Sequence, residues 1–397
     1  MIGIEHYDTA LIAALDAVRP KVQETIAHFA HQRTLGVWLE PPLTPWHELV
    51  SPVQTTMMAH PVFNQTPMRA FGPKQVILSC PPLAANAIEV AAERGSVEAV
   101  AWLYRLFAIR GSTSIRYVAE LYGLKLDERV RLSNGVTLVP LDELPSSENA
   151  DAVKAQFVML PGPQNFRMER AIGAYLECDN IPETQTITGD SRSDILESTV
   201  RAFTLVDDMA PVIGTTWSDF LDPDLVLAEH GRMYGGSRIE GGLPTIGKEV
   251  DDYALRWVEQ YLALPPDMRA RLDIPLARLN LGRRRLSPGD QAIEAGICLE
   301  ALLGDKGDRQ DLSYKLRLRT ARLLEKTFDP RKVIFAAVNK LYALRSRTVH
   351  GNTSRNEAED RKVAKEGLDI CARVLQTTVR MGKLVDVTEL DLKDEGA

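Results

Sequence analysis

Helix-start chemistry recurs through the last third of this chain and leaves little room there for strands. Ser287-Pro288-Gly289-Asp290 combines a hydroxyl that can cap the first amides, a proline whose fixed φ suits the first helical position, and an acid in the first turn. Asp329-Pro330 repeats the device, and Gly351 is the residue type that most readily stops what it starts. Between these signals apolar residues recur at three- and four-residue spacing. The pattern predicts helices over residues 250–264, 275–284, 288–304, 311–324, 330–351 and 355–381, followed by an acidic, frayed tail.

Upstream, the pattern is mixed. Residues 7–31 are predicted helical, with Leu11, Leu15, Val18 and Val22 on one side. Residues 35–74 are proline-rich and weakly periodic, with short strands expected at 36–39 and 75–79. Ser96 is placed to cap a helix reaching residue 109, and Thr113 another reaching 122. Asn134-Gly135, set between alternating apolar residues over 130–139, marks a hairpin whose type I′ turn needs positive φ at both positions. Residues 157–160 and 174–177 read as strands and 194–205 as a helix. Glycine pairs within 231–247 make that stretch the best linker. The expected class is therefore α+β. A mixed α/β region over 1–235 leads through a linker at 236–249 to an all-α bundle over 250–385, and an acidic tail occupies 386–397.

Charge is distributed unevenly along the 397 residues. The net charge is −7, yet residues 267–350 hold 18 Lys and Arg against 10 Asp and Glu, a balance of +8. The remainder carries −15, since −7 minus +8 is −15. A basic segment in an acidic chain points to a polyanionic partner. Cys80, Cys178, Cys298 and Cys371 are far apart in sequence and form no CxxC pair, so reduced, buried thiols are expected in place of a disulfide or zinc framework. The uncharged stretch 49–68 is interrupted by Pro52, Pro61 and Pro67, which argues against a membrane span. No secretory signal is recognisable at the first ten residues, and a cytoplasmic protein is expected. Walker, GxGxxG and GxSxG motifs are missing, so nucleotide hydrolysis, dinucleotide redox and α/β-hydrolase chemistry lack support. His28 and His31 stand three apart on a helix but have no acidic or thiol partner nearby, so no metal is expected.

Three charges fall where an apolar stripe should be. Arg345 projects among Ile334, Ala337, Val338 and Leu341; Glu300 lies between Ile293 and Ile297; Arg319 falls among Leu312, Leu316 and Leu323. Burying an unpaired charge costs several kcal/mol, on the order of 3–5 when a partner is removed, so these groups should find one another. A structural Glu300–Arg319 ion pair is the simplest expectation. Arg345 is followed five residues later by His350, about 140° around an ideal helix. Either the helix breaks just before Gly351 or the pair acts with copies from a second subunit. A favourable contact between His350 and the helix C-terminus is the bland alternative.

At these residues the chain resembles the HEPN superfamily, and within it the Apea-like HEPN domains. The matching stretches are AGICLEALL at 295–303, LSYKLRLRTARLL at 312–324, Arg331 with Ile334, and LYALRSRTVHG at 341–351, which carries an Arg-x4-His signature. NGVTLVPLDELP at 134–145 is similar to segments that precede such domains. The resemblance implies a helical bundle that pairs into a homodimer with two Arg-His motifs facing one cleft. It also implies a metal-independent endoribonuclease, of the kind found in toxin–antitoxin and antiphage systems. Carried over, Arg345 and His350 are the catalytic pair, Ser346 holds the motif's polar position, and Tyr342, Glu300 and Arg319 support it.

The residue types suit that chemistry. An imidazole can take a proton from the 2′-OH or give one to the leaving 5′-oxygen, and a guanidinium can stabilise charge growing on the phosphate. No cofactor is called for. Arg283, Arg284, Arg285, Arg317, Arg322 and Arg347 either track the RNA backbone or form a solvated helix face. The expected substrate is tRNA or another single-stranded or loop RNA, with a trigger acting on the N-terminal region. A catalytically silent dimerisation or RNA-binding scaffold is the main competing expectation, and an enzyme in the N-terminal half the third.

Overall fold

A computed structural model of the chain describes residues 4–35, 46–64, 68–78, 80–159, 172–184, 191–229, 235–236, 241–242, 244, 247–305, 311–351 and 356–392. By compactness these fall into two units. One holds Met1–Tyr117, Glu177–Ser191 and Ser218–Met233, and the other Val118–Leu176, Arg192–Trp217 and Tyr234–Ala397. The division does not follow the glycine-rich stretch expected at 236–249. The class is α+β, with a helical C-terminal region.

In the first unit, α1 (Ile4–Leu35), α2 (Trp46–Ala59), α3 (Cys80–Arg94) and α4 (Ser96–Ala108) pack on one another. Leu11, Leu15, Val18 and Val22 of α1 are buried as their spacing predicts. The proline-rich stretch holds a helix, α2, that the sequence reading missed. Leu49, Val53 and Met57 bury at four-residue spacing around Pro52, so the periodicity was present and the prolines obscured it. The strand expected at 36–39 lies outside the described residues. A hairpin of β1 (Met68–Phe71) and β2 (Lys74–Ile77) follows, and β1 also pairs antiparallel with residues 183–184.

Thr113 does not start a helix. Residues 112–122 form β3 (Ser112–Tyr122), in which Thr113, Ile115, Tyr117 and Ala119 bury at the two-residue spacing of a strand. In the second unit come β4 (Leu124–Lys125), β5 (Val130–Arg131) and β6 (Thr137–Pro140). The expected hairpin forms between β5 and β6, but its turn is not type I′. Only Gly135 has positive φ, at 88°. Gly135 N–H donates to Leu132 O and Leu132 N–H to Val136 O, the three-residue loop of a type I turn closed by a left-handed glycine. Of residues 157–160, expected as a strand, 157–159 are instead helical in α5 (Glu148–Met159), and 160 lies outside the described residues.

Next come β7 (Ile172–Thr184), α6 (Ser191–Ala202), β8 (Val212–Phe220), α7 (Pro223–Ala228), the two-residue β9 (Gly235–Gly236) and β10 (Lys248–Glu249). β6 pairs β7 with Leu138 opposite Ala174, and β8 pairs β9 with Thr215 opposite Gly236. Val118, Val139, Leu144, Val153, Tyr175 and Trp217 form the core beneath this sheet.

The helical region of the second unit comprises α8 (Asp252–Leu262), α9 (Pro266–Arg284), α10 (Pro288–Leu303), α11 (Leu312–Leu324), α12 (Phe328–Val349), α13 (Glu357–Met381) and α14 (Val387–Leu392). Ser287 caps α10 as its sequence predicts, its hydroxyl accepting from Asp290 N–H. α10 packs against α9, α12 and α13, and α11 against α12 and α14. The buried face of α10 is Ala292, Ala295, Cys298 and Leu299, while Ile293 and Ile297 are only half-buried. Close helix approach selects small residues for this central face, so phasing the helix by its largest hydrophobes misplaced it. No described helix is long and apolar enough to cross a membrane.

Candidate functional site

The candidate site lies where α12 ends. Ile334, Ala337, Val338, Leu341 and Leu344 anchor one face of that helix in the core, which fixes the direction in which the other faces point. The regular helix stops at Val349. His350 sits just beyond it at φ −85° and ψ 7°, its N–H donating to Ser346 O. Gly351 then adopts φ 71° and donates to Thr348 O, a left-handed step that costs glycine little. His350 N–H still bonds Ser346 O in the helical pattern, so His350 stays about 140° around the helix from Arg345, and the two residues bound one wide face of the helix end. Arg345, Ser346 and His350 line a single open cleft of about 470 Å³, together with Tyr342, Asn339 and Ser313 of α11.

Arg345 is held by α10. Its Nη1 lies 2.8 Å from Glu300 Oε1, with side chains 28% and 27% exposed, so the pair sits at the rim and not in the core. Tyr342 completes the arrangement: its hydroxyl donates to Glu300 Oε1 at 3.3 Å, and its ring lies 5.5 Å below the Arg345 guanidinium. Burial, reinforced by the neighbouring Glu300 carboxylate, raises the Tyr342 hydroxyl far above its ordinary pKa, so it stays a neutral donor. Gly296 makes room for the arginine. A Cβ there would stand 2.7 Å from Arg345 Cδ and 2.9 Å from its Nε. That Nε is buried and has no hydrogen-bond partner among the described residues.

The expected Glu300–Arg319 pair does not form. Arg319 is buried, as its place in the α11 stripe requires, but it binds the C-terminal helix. Its Nε donates to Asp391 Oδ1 at 2.9 Å, its Nη2 to Asp305 at 2.8 Å and its Nη1 to Leu303 O at 2.7 Å. Asp391 and Asp305 hold the Arg319 guanidinium above its usual range. A partner contributed by the tail could not be foreseen from helix phase alone. The acid that α10 does bury is Glu294, at 4% side-chain exposure, bridged by Arg278 at 3.2 Å and Arg285 at 2.7 Å. It went unnoticed because it lies beside Ala295 on a face mistaken for solvent.

The basic residues expected to track RNA divide sharply. Arg283 is half-buried: its Nη1 donates to Thr204 O at 2.6 Å and Met209 O at 2.7 Å, and burial lowers its pKa to about 10. Its donors are turned to the protein backbone. Arg284 binds Asn280 and Gly242, Arg285 binds Glu294, and Arg322 binds the backbone of Leu390 and Asp391. Arg347, at 47% exposure, pairs with Asp360 at 2.6 Å. Arg317 lies beside the cleft, where it binds Asn339 and Ser313.

A larger groove of about 650 Å³ lies between α6 and α9, away from the Arg345 cleft. Two of its three arginines are paired with carboxylates, Arg201 with Asp273 and Glu197 and Arg278 with Glu294, and Arg284 binds Asn280 and Gly242 O; the groove brings together no nucleophile and imidazole base. The smaller cleft therefore remains the better candidate. The side chains of His28 and His31 lie outside the described residues. His60 is fully buried in the first unit, with Nε2 3.1 Å from Asp8 and Nδ1 accepting from Val62 N–H. Comparison with family models, curated proteins and solved structures finds no match for this chain.

Proposed function

We propose that this cleft belongs to a metal-independent endoribonuclease of the HEPN type, acting as a homodimer and serving as a restrained toxin or antiphage effector. The observation that supports the reading is that Arg345 and His350 both line one cleft at the C-terminal end of α12. In the reaction, the His350 imidazole takes the proton of a ribose 2′-OH, and the 2′-oxygen forms a bond to the adjacent phosphorus. The bond to the 5′-oxygen breaks, and that oxygen is protonated by an imidazolium or by water. Arg345 stabilises charge on the non-bridging oxygens, aligned by Glu300 and Tyr342. Ser346 supplies a hydroxyl at the cleft wall. The products are a 2′,3′-cyclic phosphate and a 5′-OH, and end-group mapping of RNA cut in EDTA tests this directly. Ends bearing a 3′-OH and a 5′-phosphate would overturn the mechanism.

A second reading draws on the Arg345–Glu300 ion pair, which occupies the guanidinium within the chain itself. In it the module is a dimerisation or RNA-binding scaffold, and His350→Ala changes no rate.

A further inference from the structure

Beside the Ser313 and Asn339 end of the cleft, α11 and α12 carry a side-chain cluster whose composition phosphate chemistry does not use. Tyr314 is 51% exposed on α11. Its ring meets Phe335 of α12 edge to face, with centroids 5.9 Å apart. The Arg317 guanidinium stands over both rings, 5.8 Å from Tyr314 and 5.2 Å from Phe335. Arg317 also donates to Asn339 Oδ1 and to the backbone carbonyl of Ser313. Residues 335, 339, 342 and 346 succeed one another at three- or four-residue spacing and so share one face of α12. Ten residues separate Phe335 from Arg345, a rise of roughly 15 Å, or about four stacked nucleotides.

Asn339 is where the chemistry becomes selective. An arginine only donates hydrogen bonds, so the amide oxygen of Asn339 must face Arg317 and its Nδ2 must face the other way. Asn339 is exposed and lines the cleft. What it turns toward a ligand there is its pair of donors, while Arg317 engages the oxygen. Such a group pairs with a carbonyl oxygen on a base edge, guanine O6 or uracil O4, and repels the exocyclic amine that cytosine and adenine carry in the same place.

We propose that Tyr314, Phe335, Arg317 and Asn339 form a subsite for one unpaired nucleotide within about four of the scissile phosphate, with Tyr314 and Arg317 as the stacking platform and Asn339 selecting a keto base. The proposal rests on the ribonuclease reading of the Arg345–His350 cleft and names its substrate class: single-stranded RNA with uracil or guanine within about four nucleotides of the cut. Unpaired RNA is recognised in this manner, by stacking on exposed aromatic or guanidinium planes and by hydrogen bonds to base edges.

The test uses full-length protein carrying His350→Ala, so that RNA survives, and fluorescence anisotropy with labelled 12-nucleotide oligouridylate and oligocytidylate. The parent is expected to favour oligouridylate. Tyr314→Ala should weaken both oligonucleotides by roughly tenfold, and Tyr314→Phe should not. Asn339→Asp retains the contact to Arg317 but has no donors, and should abolish the preference while leaving the melting temperature near that of the parent. A structural staple between α11 and α12 would change melting and leave base preference untouched. Binding that is unaltered by Tyr314→Ala, indifferent to uracil against cytosine, or missing altogether overturns the subsite. Cleavage by the wild type in EDTA, lost on His350→Ala, then separates the two failures. If it is present the ribonuclease stands without this subsite, and if it is absent both fall.

Discussion

Arg345 reaches across from α12 to place its guanidinium 2.8 Å from the Glu300 carboxylate of α10, and it passes over Gly296 to do so. The pair is half-exposed, so its value lies in orientation more than in stability. Exposed pairs of this kind contribute about 0–1 kcal/mol. Glu300→Gln should therefore cost at most about 1 kcal/mol in chemical unfolding while lowering kcat by roughly 10- to 100-fold through a misplaced guanidinium. Parallel urea titrations and single-turnover cleavage check both halves. A large loss of stability with unchanged cleavage would contradict the assignment.

Gly296→Ala separates geometry from stability more cleanly. The new methyl would fall 2.7 Å from Arg345 Cδ, and the flexible arginine would give way. Alanine also removes the roughly 1 kcal/mol penalty of glycine within a helix. The expected variant melts no lower than wild type and cleaves poorly. Calorimetry alongside the cleavage assay reads the two outcomes together.

Much of the helical region was legible in the sequence because caps and stripes agree there: the Ser287 cap on α10 and the apolar face of α12 stand as the spacing predicts. Two kinds of feature escaped. Phase misleads where small residues form the buried face, as Ala292 and Ala295 do on α10, so Glu294 was overlooked and Glu300 was assigned to the wrong arginine. Long-range partners leave no local trace. Asp391 lies 72 residues from Arg319, and no periodicity couples them. Strand against helix was also ambiguous at residues 112–122, where a hydroxyl resembling a cap precedes an alternating run. The Arg345–His350 pair is visible in the sequence, but the cleft that both line also needs Ser313 of α11 beside Asn339 and Tyr342 of α12, and no local spacing couples the two helices.

Asp391 predicts a pH dependence. Its hydrogen bonds with Arg319 hold its carboxyl below the ordinary 3.8. A depressed folded pKa gives stability that is fully present above the unfolded value and lost as pH falls through the folded one. The stability difference between wild type and Asp391→Asn, about 1–3 kcal/mol for hydrogen bonds to a charged group, should hold from pH 7 down to about 4 and shrink below that. Urea unfolding of both proteins between pH 3 and pH 7 measures it. A difference that grows on acidification would contradict the Arg319–Asp391 contact.

The basic residues should separate by assay. Arg283→Ala removes the donor to two buried carbonyls and should destabilise the fold by about 1–3 kcal/mol. Arg347→Ala takes one partner from the buried Asp360 carboxylate and should lower stability, and it should reduce the salt slope of RNA binding by about one. Melting curves and binding isotherms at several salt concentrations distinguish these roles.

The most direct test of the central claim is cleavage of end-labelled tRNA and single-stranded RNA in EDTA by wild type and by His350→Ala, each shown to be folded by circular dichroism. Cutting by the wild type and none by the variant is the expected result. Equal cutting by both proteins would remove His350 from the chemistry and overturn the ribonuclease assignment of this cleft.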